Sequence, residues 1–204
     1  MVAKKTSPRG AAGRGRPRAF DTDEAVETAM ALFHDRGYEG VGVAELSAAI
    51  GVNPPSLYAA FGSKKGLFER ALERYVATTG GVTAATLAEP DPVAEVVPRV
   101  LTRLAEIYGK PGGLRGCLVL DSTRNCGDPE VRGLTEVVRL QARELLRRRI
   151  AEEYPEAAEA LADYVVVALA GLSAAARDGM APEALRRVAA MAARGFVAQL
   201  PEKG

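Results

Sequence analysis

A chain of 204 residues can hold one sizeable domain or two small ones around a real apolar core. Hydrophobic residues make up 48% and aromatic residues only 5%, with much Ala and Leu, a balance that favours helices over strands. A net charge of +1 excludes a uniformly basic or acidic surface, and two cysteines exclude a disulfide framework, so free thiols in a cytoplasmic protein are expected. No apolar stretch follows the N-terminus as a secretory peptide requires. The longest low-charge run, residues 164–176, falls short of the roughly 20 residues that span a bilayer.

The charge is unevenly placed. Residues 1–20 hold Lys4, Lys5, Arg9, Arg14, Arg16 and Arg18 and no acid, which leaves 21 basic against 26 acidic residues in the rest. A basic arm on a mildly acidic body suggests a local contact with a polyanion. Residues 1–19 are rich in Lys, Arg, Gly, Pro and Ala and are expected to be disordered when free. Within them Arg14-Gly15-Arg16-Pro17-Arg18 resembles the core of an AT-hook, which lies extended in the narrow minor groove of A·T-rich DNA. The alternative is a solubilising tail.

Asp21 and Glu24 form a capping-box-like pair that opens a helix running to Arg36. Ala25, Ala29, Leu32 and Phe33 give it a buried stripe at i, i+4, i+7 and i+8, and Gly37 closes it. His34, the single histidine, is expected at the surface or the core edge and not on a metal. Two short amphipathic pieces follow. Val43, Leu46 and Ile50 share one face of the first, and Leu57 and Phe61 one face of the second, with Tyr58 beside it. Gly51 suits a helix end and a sharp turn, Asn53 offers a capping oxygen, and Pro54 fits the first helical position. Two short helices joined by a tight glycine-bearing turn form a helix-turn-helix, whose second helix enters the DNA major groove.

Gly37-Tyr38-Glu39-Gly40, the helix from Val43 to Ile50, Gly51-Val52, Ser56-Leu57-Tyr58, Phe61 and Ser63-Lys64 together resemble the DNA-binding domain of the tetracycline-repressor (TetR/AcrR) family. The similarity covers roughly residues 20–75; beyond it the chain resembles the family only in helix count and order. It implies an all-α fold of about nine helices, with an N-terminal three-helix helix-turn-helix domain and a larger helical ligand-binding and dimerisation domain. Three departures stand out. Gly42 replaces the usual hydroxyl residue before the second helix, Pro54-Pro55 removes two N–H groups from the recognition helix, and Ala59-Ala60 replaces larger hydrogen-bonding residues. Base reading then rests chiefly on Ser56 and Tyr58. The expected DNA-contacting set is Arg14, Arg16, Arg18, Gly42, Asn53, Pro54, Pro55, Ser56, Tyr58, Ala59, Lys64 and Lys65. Ser63 caps the next helix. Lys64 and Lys65 in its first turn oppose the helix dipole, which makes sense if a phosphate sits there, and Lys64 matches the family's phosphate clamp.

Gly80-Gly81 and Pro90-Asp91-Pro92 mark residues 78–92 as the boundary, giving an arm (1–19), a DNA-binding domain with a linking helix (20–79) and an effector and dimerisation domain (80–204). Five helices are expected there: Val93 to Tyr108, with Pro98 kinking it or marking its true start; Gly116 to Asn125; Asp128 to Tyr154; Pro155 to Arg177; and a last one to Leu200. The last two are read as the seam of a two-fold dimer through Ala168, Gly171, Leu172, Ala175, Leu185, Val188, Ala192 and Phe196, with burial inside one chain as the alternative. The resemblance implies a cavity for a small effector, with Leu104, Tyr108, Cys117, Leu120, Asn125, Val138 and Tyr164 as candidate walls.

No Gly-rich phosphate loop, catalytic constellation or paired His ligands appear, so neither an enzyme nor a cofactor is expected. The reading is a ligand-responsive repressor that leaves a palindromic operator when an effector binds, as a homodimer with no membrane partner. The alternatives are a thiol- or metal-responsive regulator using Cys117 and Cys126, or a minor-groove architectural protein.

Overall fold

The computed structural model describes residues 21–202, so Arg14, Arg16 and Arg18 lie outside the described residues. Those residues form α-helices and no strand: nine helices of seven residues or more, and a single four-residue turn of helix. The all-α class and the helix number are as expected.

The first four helices form the N-terminal unit. The Asp21 carboxylate opens α1 (Thr22–Arg36) by accepting the N–H groups of Asp23 and Glu24 at 2.8 and 3.3 Å. Gly51, at φ +78°, ends α2 (Val43–Ile50) in the left-handed conformation that only glycine takes without penalty. Asn53 then caps α3 (Pro54–Phe61) by accepting the Ser56 N–H at 2.8 Å, and the two prolines take the positions where no intrahelical donor is needed. Ser63 caps α4 (Lys64–Tyr75) through the Gly66 N–H at 3.0 Å. Phe33, Tyr38 and Phe68 hold the unit together, with the Phe33 and Phe68 rings edge-on at 5.1 Å and Leu46, Leu57 and Leu67 buried around them.

After Tyr75 the chain departs from expectation. Residues 78–92 are the expected domain boundary, and the chain is helical through the first part of them, in a π-helical turn (Val76–Gly80) and α5 (Gly81–Leu87). Glycine permits a break without compelling one. Here burial of Thr86 and Leu87 offsets the weak helix preference of Gly80 and Gly81, and the break waits for Pro90 and Pro92. α6 (Val93–Tyr108) starts at Val93 and continues as one helix past Pro98, burying Val96, Val97, Val100, Leu101 and Leu104. α7 (Leu118–Asp121) is only one turn, where residues 116–125 were expected to be helical. Gly116 at φ +79° and the extended Cys117 bring the chain in late, and residues 122–125 form turns.

α8 (Pro129–Ala151), a short 3-10 turn (Pro155–Ala157), α9 (Ala158–Arg177) and α10 (Pro182–Ala198) complete the fold. The stretch Pro155–Arg177 is long and apolar enough, by length and composition, to cross a membrane. In this fold it is a core helix, with Leu161, Val165, Leu169 and Leu172 buried against its neighbours.

A polar seam joins the N-terminal unit to this body. The Arg177 guanidinium donates to the carbonyls of His34 and Asp35 at 2.6 and 2.9 Å, and the Tyr38 N–H donates to Ser122 O at 2.8 Å. Glu39 accepts from the Cys126 thiol and the Gly127 N–H. His34 is buried here, not at the surface, and its Nε2–H donates to Gly116 O at 3.1 Å. Burial lowers its pKa, with the Gly116 bond pulling the other way. An unfolded chain takes up this proton near pH 6.5, whereas the folded chain resists it. The neutral ring's contribution is therefore complete above that pH and is lost as pH falls below it. His34→Gln, which keeps a donor toward Gly116, should show a smaller drop in Tm between about pH 7.5 and about pH 5.5 than the parent; equal drops would contradict this.

Candidate nucleic-acid interface and internal cavity

Leu57 anchors α3 in the core, and that single contact decides which side faces out. Asn53, Pro54, Pro55 and Ala59 are exposed, Tyr58 is 46% exposed, and Ser56 is half-buried. Pro54, Pro55, Tyr58 and Ala59 therefore lie on the side of α3 away from Leu57, Ser56 points elsewhere, and Gly42 is exposed at the start of α2 without a side chain to cap it. The two lysines behave differently. Lys64 Nζ lies 4.0 Å from the Tyr38 ring centroid, a cation–π contact that holds the ammonium beside the recognition helix, and burial lowers its pKa. Lys65 instead pairs with Glu130 of α8, so a phosphate reaching it must compete with that carboxylate.

A cavity of about 240 Å³ lies between α4, the π turn and α5 through α9. Leu104, Tyr108, Cys117, Leu120 and Val138 line it as expected, and two expected walls do not. Asn125 lies on a separate polar groove with Cys126 and Arg177, because α7 ends before it. Tyr164 donates to Ala192 O at 2.9 Å and so ties α9 to α10. Cys117 and Cys126 are both free and buried, and burial pushes both thiols up. Among the described residues no three His, Cys, Asp or Glu side chains are grouped to hold a metal ion.

The expected seam divides in the same way. Leu172 of α9 and Leu185 and Phe196 of α10 are buried within the single chain. Ala168, Ala175 and Ala192 are half-buried, and Gly171 and Val188 are exposed. Beside them stand Val167 (70% exposed), Met191 (62%) and Val197, apolar side chains that the other described residues leave uncovered.

Comparison with known proteins agrees with the helix-turn-helix geometry. The sequence pattern of bacterial regulatory proteins, tetR family, matches residues 25–71. The chain is 40% identical to the HTH-type transcriptional repressor BdcR of Escherichia coli (strain K12), over 99% of this chain and 100% of that protein. The chain belongs to the tetR family. It is a helix-turn-helix transcriptional repressor and not an enzyme. The HTH-type transcriptional repressor ComR of the same organism is 29% identical over 86% of this chain and 89% of its own length. Among solved structures, a cysteine-substituted CifR, a TetR family transcriptional regulator complexed with 26-bp double-strand operator DNA, is 38% identical. It superposes with a TM-score of 0.79 over 88% of this chain and 98% of that one.

Within this tetR-family chain, three groups escaped the sequence reading. Tyr75 sits on the apolar stripe of α4 and reads there as core, yet it lines the cavity. Tyr38 belongs to the family motif, but only the fold places it under Lys64. Val167 and Met191 carry the uncovered face, and their signal was an apolar residue on the side of the helix away from the Leu positions.

Proposed function

We propose that this repressor works as a cytoplasmic homodimer that holds a palindromic operator with two copies of α3 and releases it when a small molecule fills the cavity. Residues 20–79 read the DNA, residues 80–204 hold the effector and the second chain, and the arm of residues 1–19 adds groove or phosphate contacts. The observation that carries this is the outward face of α3, with Tyr58 and Ala59 free to meet base edges and Asn53 and Lys64 at its flanks. Two turns of helix read few base pairs, so a second copy about one helical repeat away supplies the missing affinity. The uncovered face of α9 and α10 is where that copy is held. Occupancy of the cavity weakens DNA binding only if the ligand prefers the DNA-incompetent arrangement. The α4 helix connects the two: Lys64 at one end stands beside α3, and Tyr75 at the other lines the cavity.

Deleting residues 1–19 should weaken binding to the operator while keeping its preference over unrelated duplexes. Tyr58→Ala should do the reverse, reducing the preference more than the non-specific affinity, both read by titration at fixed salt. Loss of all binding on arm deletion would favour an architectural minor-groove protein instead. Burial raises the pKa of the Cys117 and Cys126 thiols, which favours the less nucleophilic thiol form and so weighs against a thiol switch.

A further inference from the structure

The cavity wall is mostly apolar, with Leu104, Val119, Leu120, Leu146, Val166 and Leu169 around it, and Thr79, Thr83 and Gln141 border it where they are part or fully exposed. Its deep end carries three polar side chains, Tyr75, Tyr108 and Cys117, all more than nine-tenths buried. By distance and angle the Tyr75 hydroxyl has no hydrogen-bond partner among the described residues, although the Cys117 thiol and the Leu118 backbone lie close enough to bear on its titration. A buried hydroxyl without a partner is uncommon in a native fold and destabilises it, so its retention beside an empty volume calls for an absent partner. Tyr75 also begins the departure from regular helix: the π turn Val76–Gly80 follows it directly, and Val76, Thr79 and Gly80 line the same cavity. Single π turns of this kind recur at functional sites.

The chemistry at this end restricts what can bind. Burial holds Tyr75, Tyr108 and Cys117 protonated, so all three offer donors, and the surroundings disfavour negative charge. Arg139 also lines the cavity, but it is part-exposed and can keep its water. An engineered protein cavity of about 150 Å³ holds benzene, so about 240 Å³ has room for one ring or a short chain with a small polar head. We propose that the effector is an uncharged, largely apolar molecule with one hydrogen-bond acceptor, a carbonyl or ether oxygen, which takes the Tyr75 hydroxyl. This rests on the cavity being the effector site and adds the ligand's class and the residue that selects it.

Three probes of matched size separate the possibilities in the full chain: acetophenone (neutral acceptor), benzoate (anion) and ethylbenzene (no acceptor). Calorimetric titration should find acetophenone tighter than either of the others by about ten-fold, and Tyr75→Phe should reduce it to the level of ethylbenzene. Without ligand, Tyr75→Phe should raise Tm by about 2–4 °C, because it removes a buried unpaired donor; a purely structural hydroxyl would give a fall. Benzoate binding tightest, or acetophenone binding unchanged by Tyr75→Phe, would overturn the proposal. Binding is measured without DNA, so the result does not depend on whether occupancy releases an operator.

Discussion

A chain carrying both Val167→Glu and Met191→Glu should run as a monomer in sedimentation, and its operator affinity should fall on the order of a hundred-fold. Both side chains are mostly exposed in one chain, so the double variant should keep its helical circular dichroism and nearly its full Tm. In a two-fold seam the same positions face their copies, and four introduced carboxylates would lose water in an apolar contact. Loss of the second chain removes the linkage that makes two weak half-site contacts into one strong one. Val188→Ala, a smaller change on the same face, should loosen the dimer without abolishing it. A double variant that stays dimeric would place the seam elsewhere.

Gly66→Ala is expected to lower stability by about 2–3 kcal/mol, a fall in Tm of roughly 5–10 °C for a chain of this size. Gly66 lies in the first turn of α4, where its N–H is held by the Ser63 hydroxyl, and a methyl there would overlap the carbonyl oxygen of Phe61 at the end of α3. The obstacle is backbone, so no side-chain rotation relieves it, and α3 and α4 must move apart. The recognition helix would then be tilted relative to Lys64, and operator affinity should fall at temperatures where the fold is still intact. Gly133→Ala is the control: a methyl at Gly133 meets open space inside α8, so it should leave operator affinity unchanged and raise stability by up to about 1 kcal/mol.

The N-terminal unit was largely legible in the sequence because its signals are local. Asp21, Gly51, Asn53 and Ser63 each act on backbone within a few residues, and each caps or ends its helix as read. The body was less legible where long-range packing overrides local preference. Gly80 and Gly81, given as marks of a domain boundary, lie in helix, and Gly116 with the extended Cys117 shortens α7 to one turn. Apolar periodicity also does not say which neighbour covers a face. Leu172, Leu185 and Phe196 were read as seam and are core, whereas Val167 and Met191 carry the uncovered surface. Tyr164, a candidate cavity wall, instead donates its hydroxyl to Ala192 O. Tyr75 has no local signal that sets it apart from the other apolar positions of α4, and its unpaired hydroxyl is evident only with the neighbours in position.

The most direct test of the whole account is selection of the full chain against a random duplex library, followed by native mass spectrometry of the complex with the winning sequence. The expected result is an inverted repeat with half-sites about one helical turn apart, bound by an even number of chains. A winning sequence without two-fold symmetry, or a single chain on the duplex, would contradict the paired recognition helices on which everything else depends.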